Sequence, residues 1–109
     1  MTTVQCDAGA CGMKTSIQVT KLPDRTLKVA IDSECEMVRS LGMHVESVRA
    51  ESALARWSES EIHRHASCCI KHAACPVPMA VLKAIEVEAG LAVPRDVSVR
   101  FVSDIPSER

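Results

Sequence analysis

Two alternating segments on either side of a proline-containing turn constrain the fold of this chain most. Residues 15–20 (TSIQVT) and 27–31 (LKVAI) both place apolar side chains at every second position, which is the period of a strand with one buried face. Between them, Pro23 and Asp24 favour a turn. The pattern therefore predicts an antiparallel β-hairpin with one buried face.

Three segments downstream of the hairpin carry helix signals. The first, residues 33–42, opens with Ser33 and Glu36 in the spacing of a capping box. A second helix is expected from about residue 59. The third, residues 76–90, opens with prolines, ends at a glycine and has an apolar stripe between them. The third segment gives the clearest helix in the chain.

A final alternating segment, DVSVRFV (96–102), predicts a third strand. The expected fold is therefore α+β, with a small antiparallel sheet (the hairpin plus this C-terminal strand) covered on one face by helices. With 109 residues, 47% of them hydrophobic, the chain fits a single domain over residues 1–109. Residues 1–10 and 103–109 are expected to be flexible.

Composition narrows the function classes. Thirteen basic and 14 acidic residues leave a net charge of −1, and only 2% of residues are aromatic, so nucleic-acid binding is not expected. The chain has no basic leader and no apolar run of about 18 residues. These features predict a cytoplasmic protein that does not bind membranes. In a reducing cytoplasm, six cysteines indicate metal ligands or redox thiols rather than disulfides.

Two of these cysteines flank the predicted hairpin. Cys11 precedes its first strand and Cys35 follows its second, so the hairpin should bring them to the same edge. If Ser33 caps the following helix, Cys35 is the second helical residue. Its sulfur then lies at the positive end of the helix dipole, where negative charge is favoured.

The other thiols concentrate in residues 66–78 (ASCCIKHAACPVP). His72 and Cys75 are three residues apart, as are Cys69 and His72, so one helical turn would present either pair on one side. Soft thiolate and imidazole ligands suit zinc and iron–sulfur clusters. We therefore predict a site with three cysteine ligands and one histidine ligand (Cys₃His) for zinc or an iron–sulfur cluster. Its expected ligands are Cys11, Cys35, His72 and Cys75, with Cys6 and Cys69 as secondary candidates.

A family resemblance starts from the same residues. CGMKTSIQV, IDSECEMV and KHAACPVPMAVLKAIE resemble the motifs of the U-type iron–sulfur cluster scaffold family (NifU/IscU-like). The resemblance implies that fold, the same four ligands, and cluster-assembly or recipient proteins as partners. Met13 stands where the family has aspartate, and two alanines separate His72 from Cys75. The chain also resembles small cysteine-rich proteins of unknown function from anaerobes, which have no assigned activity.

Two further interpretations remain open. One is a thiol-based redox or persulfide-carrying protein that uses Cys35 or Cys75. The other is a structural or interaction domain whose cysteines belong to the core. No Ser-His-Asp arrangement and no glycine-rich phosphate loop is apparent, which favours a binding protein over an enzyme. The sequence carries no signal for oligomeric state.

Overall fold

The hairpin lies within a four-stranded antiparallel sheet in the computed structural model, which describes residues 1–103. The strand bounds are β1 Thr2–Asp7, β2 Lys14–Lys21, β3 Leu27–Ser33 and β4 Ser47–Val48. The four strands lie side by side in the order β1-β2-β3-β4, so strands that are consecutive in the chain are paired in the sheet. The α+β class and the predicted hairpin are confirmed.

The other regular elements of residues 1–103 are four α-helices and one 3-10 turn. The bounds are α1 Glu36–His44, α2 Ala50–Ala53, the 3-10 turn Trp57–Glu59, α3 Glu61–Cys69 and α4 Val77–Glu88. Helix α1 packs on β3, α4 packs across β1 and β2, and α3 packs against α1 and α4. In residues 1–103, no helix is both long and apolar enough to cross a membrane.

The core lies between the sheet and these helices. On the hairpin, the inward residues are those that the alternation predicts: Ile17, Val19, Leu27 and Val29 are buried and Ile31 is half-buried. Helix α4 contributes its own buried stripe, formed by Val77, Ala80, Val81, Ala84 and Ile85. Burying each larger side chain contributes about 1.5–3 kcal/mol, so this layer dominates the stability of the fold.

The N-terminal segment differs from its prediction. Residues 1–10 were expected to be flexible, but Thr2–Asp7 pairs with β2 along its whole length and forms an edge strand. Every second residue of this strand is half-buried, and Val4 and Cys6 pack against the core. Val4 is the only strongly apolar residue among the inward positions of β1, so the alternation is too weak to detect in the sequence. The strand forms because it pairs with β2.

The predicted C-terminal strand is wrong for the described residues. Residues 96–102 form no ladder with the sheet and are exposed. Their alternation indicates a face that favours burial, but it does not identify what buries it. The strands that flank the hairpin in the sheet are instead β1 and the short β4. Of the predicted flexible end 103–109, residues 104–109 lie outside the described residues.

The start of α1 also differs from the capping-box prediction. Ser33 is the last residue of β3, and Cys35 is the residue that precedes the helix. Gly42, the last residue of the segment 33–42 in which this helix was expected, lies inside the helix. A Cβ atom built on Gly42 would lie 3.1 Å from Cβ of Ile31. The glycine therefore allows α1 to approach β3 closely.

Glu88 fastens the last turn of α4 to the sheet. Its carboxylate accepts hydrogen bonds from the Thr2 hydroxyl at 2.7 Å and the Lys21 backbone N–H at 2.9 Å. It also lies 3.4 Å from the N-terminal amine of Met1. The Thr2 hydrogen bond, then the Lys21 bond and the terminal amine, lower the pKa of Glu88.

Replacing Glu88 with glutamine should weaken the acid sensitivity of the fold. A carboxylate whose pKa is lower in the folded chain stabilises it above the unfolded pKa of about 4.3, and that contribution disappears as pH falls through the folded pKa. Urea unfolding between about pH 6 and pH 3 measures the free energy of unfolding of both proteins. The wild type should be more stable than Glu88→Gln at pH 6, and this difference should shrink as the pH falls. Glu86→Gln, on the same helix, is the control. A difference that does not change with pH would contradict this role.

Leu41→Ala should test the packing of α1. Leu41 is 0% exposed, whereas Met43 on the same helix is 74% exposed. Removing the buried side chain should cost about 2–5 kcal/mol of unfolding free energy, and Met43→Ala should change it by less than about 0.5 kcal/mol. Urea denaturation followed by circular dichroism measures both. Equal effects of the two substitutions would contradict the burial of this face.

Candidate functional site

One end of the sheet collects residues from four parts of the chain. There β1 ends, β2 begins and β3 ends, and Cys6 pairs with Thr15, which pairs with Ser33. Helix α4 starts close to this end and runs to Glu88 at the opposite end, beside Thr2 and Lys21. We call this the cysteine end of the sheet, because Cys6, Cys11, Cys35 and Cys75 all belong to it.

Cys6 occupies the inner face of β1 at the cysteine end. Its side chain is half-buried and packs against the core. Burial raises the pKa of the Cys6 thiol, and the nearby negative charges of Cys75, Asp7 and Cys11 raise it further. The sulfurs of Cys75 and Cys11 are therefore electrostatic neighbours of Cys6. Since β1 was expected to be flexible, the sequence indicated Cys6 only as a secondary ligand.

Cys11 lies in the loop that joins β1 to β2, and its thiol is exposed. The loop is closed by a hydrogen bond from the Gly12 N–H to the Gly9 carbonyl at 2.8 Å. Gly9 and Gly12 have positive φ, 85° and 72°, in the region where glycine avoids the Cβ strain of other residues. Loop closure therefore presents Cys11 at the surface.

Cys35 is held at the end of β3 by a pair of buried hydroxyl groups. The Cys35 N–H donates to Ser33 Oγ at 3.0 Å, and Ser33 Oγ lies 2.7 Å from Thr15 Oγ1. At the same position the Cys35 carbonyl accepts the N–H of Arg39 at 2.9 Å as α1 begins. The backbone of Cys35, which carries a half-buried side chain, is therefore fixed by both the sheet and the helix.

Cys75 and His72 lie in the turn before α4. Cys75 is half-buried against the core, and its N–H donates to the His72 carbonyl at 3.2 Å. The His72 side chain is exposed. The turn thus places the Cys75 thiol at the cysteine end and leaves the His72 imidazole at the surface beside it.

The cysteine end is not a preformed mononuclear site. Strands lie about 4.8 Å apart, so Ser33, two strands across from Cys6, is about 10 Å away from it. Within residues 1–103, no three His, Cys, Asp or Glu side chains lie close enough together to hold a metal ion. All six cysteines are free thiols.

Cys69 belongs to a different cluster, which the sequence analysis missed. Its sulfur lies 3.7 Å from His44 Nδ1 and accepts a hydrogen bond from the Ser40 hydroxyl at 3.6 Å. The His44 ring stacks on His65, with centroids 5.7 Å apart. His65 and Cys69 are four residues apart on α3, a spacing that indicates a shared face. The packing of that face against α1 has no local sequence signal.

The comparisons with known proteins give a family but no activity. Residues 2–101 match the model of a family of unknown function (DUF6951), and the chain belongs to that family. No curated protein and no solved structure matches it. The match agrees with the resemblance to cysteine-rich proteins without an assigned activity, and it does not extend to U-type scaffolds.

Thiol labelling tests the environment assigned to Cys6. In metal-free, reduced protein near neutral pH, Cys6 should react with iodoacetamide severalfold more slowly than the exposed Cys11 and Cys68. Its raised pKa leaves less reactive thiolate, and its burial limits access. Peptide mass spectrometry over time measures each rate. Labelling of Cys6 as fast as Cys11 would contradict the assigned burial and charge environment.

Proposed function

We propose that the cysteine end binds an iron–sulfur cluster or zinc. The observation that carries this proposal is convergence: a loop, a strand–helix junction and a helix start each bring a thiol to the same end of the sheet. Those thiols are Cys11, Cys35 and Cys75, three of the four expected ligands. Thiolate sulfur is the ligand that zinc and iron–sulfur clusters share.

The fourth ligand in this proposal is either Cys6 or His72. Cys6 is favoured because its half-buried side chain lies at the cysteine end, where Cys75 and Cys11 both act to raise its pKa. His72 is favoured by its position three residues before Cys75 on an exposed turn. The first choice predicts coordination by four thiolates, and the second predicts coordination by three thiolates and one imidazole. Substitution of each residue separates the two.

The two candidate cofactors place different demands on the thiol sulfurs. Zinc–sulfur bonds are about 2.3 Å long, so two thiolates on one zinc have sulfur atoms at most about 4.6 Å apart. An iron–sulfur cluster contains several metal ions and holds cysteine sulfurs that are farther apart. Both use the thiolate ligands that the cysteine end supplies, so the metal content of the purified protein distinguishes them.

Protonation would make binding depend on pH. Metal ligation requires thiolates, so binding displaces the protons of the free thiols. The raised pKa of Cys6 means that this proton is held at neutral pH, and the apparent affinity should rise with pH if Cys6 is a ligand. The same dependence would help a cluster to leave in a mildly acidic environment.

The exposed Cys11 loop suits exchange with another protein. A ligand at the surface is accessible to an incoming donor or recipient, as the resemblance to cluster scaffolds implies. A reducing cytoplasm would keep the six cysteines as thiols between exchanges. Within this proposal, cluster-assembly and recipient proteins are the expected partners, and the chain is a carrier rather than an enzyme.

Metal analysis of protein purified without oxygen tests the proposal. The wild type should contain stoichiometric iron and sulfide with visible absorbance, or stoichiometric zinc without colour. Cys35→Ala and Cys75→Ala should each lose most of this content because each removes a ligand. Cys68→Ala is the matched control, since Cys68 is exposed and outside the cysteine end, and it should retain the content.

Three outcomes would overturn the proposal in different ways. Metal content that Cys35→Ala and Cys75→Ala leave unchanged would place any metal elsewhere. Metal-free protein in which Cys35 or Cys75 alone reacts unusually fast would support redox or persulfide chemistry instead. A melting temperature that chelators do not change, together with absence of metal, would favour core cysteines in a structural domain.

A further inference from the structure

The C-terminal arm, residues 91–102, is apolar and uncovered. It follows α4 after Gly90 and carries six large apolar side chains that are 49% to 103% exposed. Phe101, the only phenylalanine in the chain, is fully exposed. An apolar surface of this extent is unusual on a monomer and marks an interaction site.

Part of this arm has the sequence pattern of a strand. Val97, Val99 and Phe101 alternate with the polar residues Ser98 and Arg100, so an extended backbone places the apolar ones on one face. Among residues 1–103, no backbone hydrogen bond involves residues 96–102. Within that part of the chain, the arm is therefore a strand that lacks both its hydrogen-bonding partner and a cover for its apolar face.

The sheet has an open edge at β1 that is complementary to this arm. Among the described strands, β1 pairs only with β2, so half of its backbone groups face an open edge. This edge is six residues long, whereas the opposite edge strand β4 has two. On its inner face, Val4 and Cys6 are only half-buried. An added strand with apolar inward side chains would satisfy the edge and complete this face.

The arm does not pair with its own sheet within the described residues, and the chain is elongated. The Cα radius of gyration is 14.9 Å, above the roughly 13 Å expected of a compact chain of this length. The molecule measures 54 Å along one axis and 29 and 24 Å along the others. Pro94 fixes its own φ and biases Val93 toward extended backbone, which stiffens the connection against folding back.

We propose that the C-terminal arm docks as an added strand on the β1 edge of a second copy of this chain, and that the exchange is reciprocal. Two identical arms on two identical edges form a closed twofold dimer. Burial of the three inward side chains of the arm, Val97, Val99 and Phe101, removes roughly 100 Å² each, or about 300 Å² per arm. With the matching surface on the partner, one arm buries about 600 Å² and both about 1,200 Å², which reaches the lower end of the roughly 1,200–2,000 Å² of stable interfaces.

The oligomeric state of the full chain tests this proposal. Size-exclusion chromatography with light scattering, in reductant and chelator, should give twice the chain mass of 11.8 kDa for the wild type. Val99→Asp should give a single chain mass, because it would bury a charge in the new interface. Ser98→Asp, on the opposite face of the same strand, should remain dimeric. Val99 is 86% exposed, so Val99→Asp leaves the monomer fold intact, as circular dichroism can verify.

Three results would overturn the proposal. These are a monomeric wild type, a Val99→Asp variant as dimeric as the wild type, and equal dissociation by both substitutions. A monomeric wild type whose melting temperature falls on Val99→Asp would show the arm docked on its own β1. Because reductant and chelator are present throughout, the result is independent of metal binding at the cysteine end.

Discussion

The packing of α4 across β1 and β2 forms the centre of the core and positions the cysteine end. Its buried stripe covers the inner face of these strands, and Glu88 fixes its last turn to Thr2 and Lys21. With one end fixed, the first turn of the helix must lie at the opposite end of the sheet. Cys75 therefore lies at the same end of the sheet as Cys6 because of helix packing and not because of any local signal around the thiols.

The sequence predicts the parts of this fold that depend on local periodicity. The hairpin and α4 have strong alternation or a complete apolar stripe, and both appear where expected. Strand β1 depends on pairing with β2, so its weak pattern did not reveal it. Residues 96–102 show the converse case, since their pattern is strong but no partner strand lies within the described chain.

The candidate site was predictable to a similar extent. A hairpin necessarily brings Cys11 and Cys35 to one end, and the structure places them there. The contribution of Cys6 follows from an unexpected strand, and Cys69 contacts Ser40 and His44 because α3 crosses α1. Both depend on tertiary packing, which residue spacing does not encode. His72 lies close to Cys75 in sequence, but its ring is at the surface.

We propose that this packing gathers thiols that ligate a metal or cluster. X-ray absorption spectroscopy of protein purified without oxygen tests it most directly, because the spectrum reports the atoms bound to the metal. The metal should be iron or zinc with mainly sulfur ligands, at about 2.3 Å for zinc, and a cluster should add a further shell of metal atoms. Metal bound only through oxygen and nitrogen, or no metal at all, would contradict it.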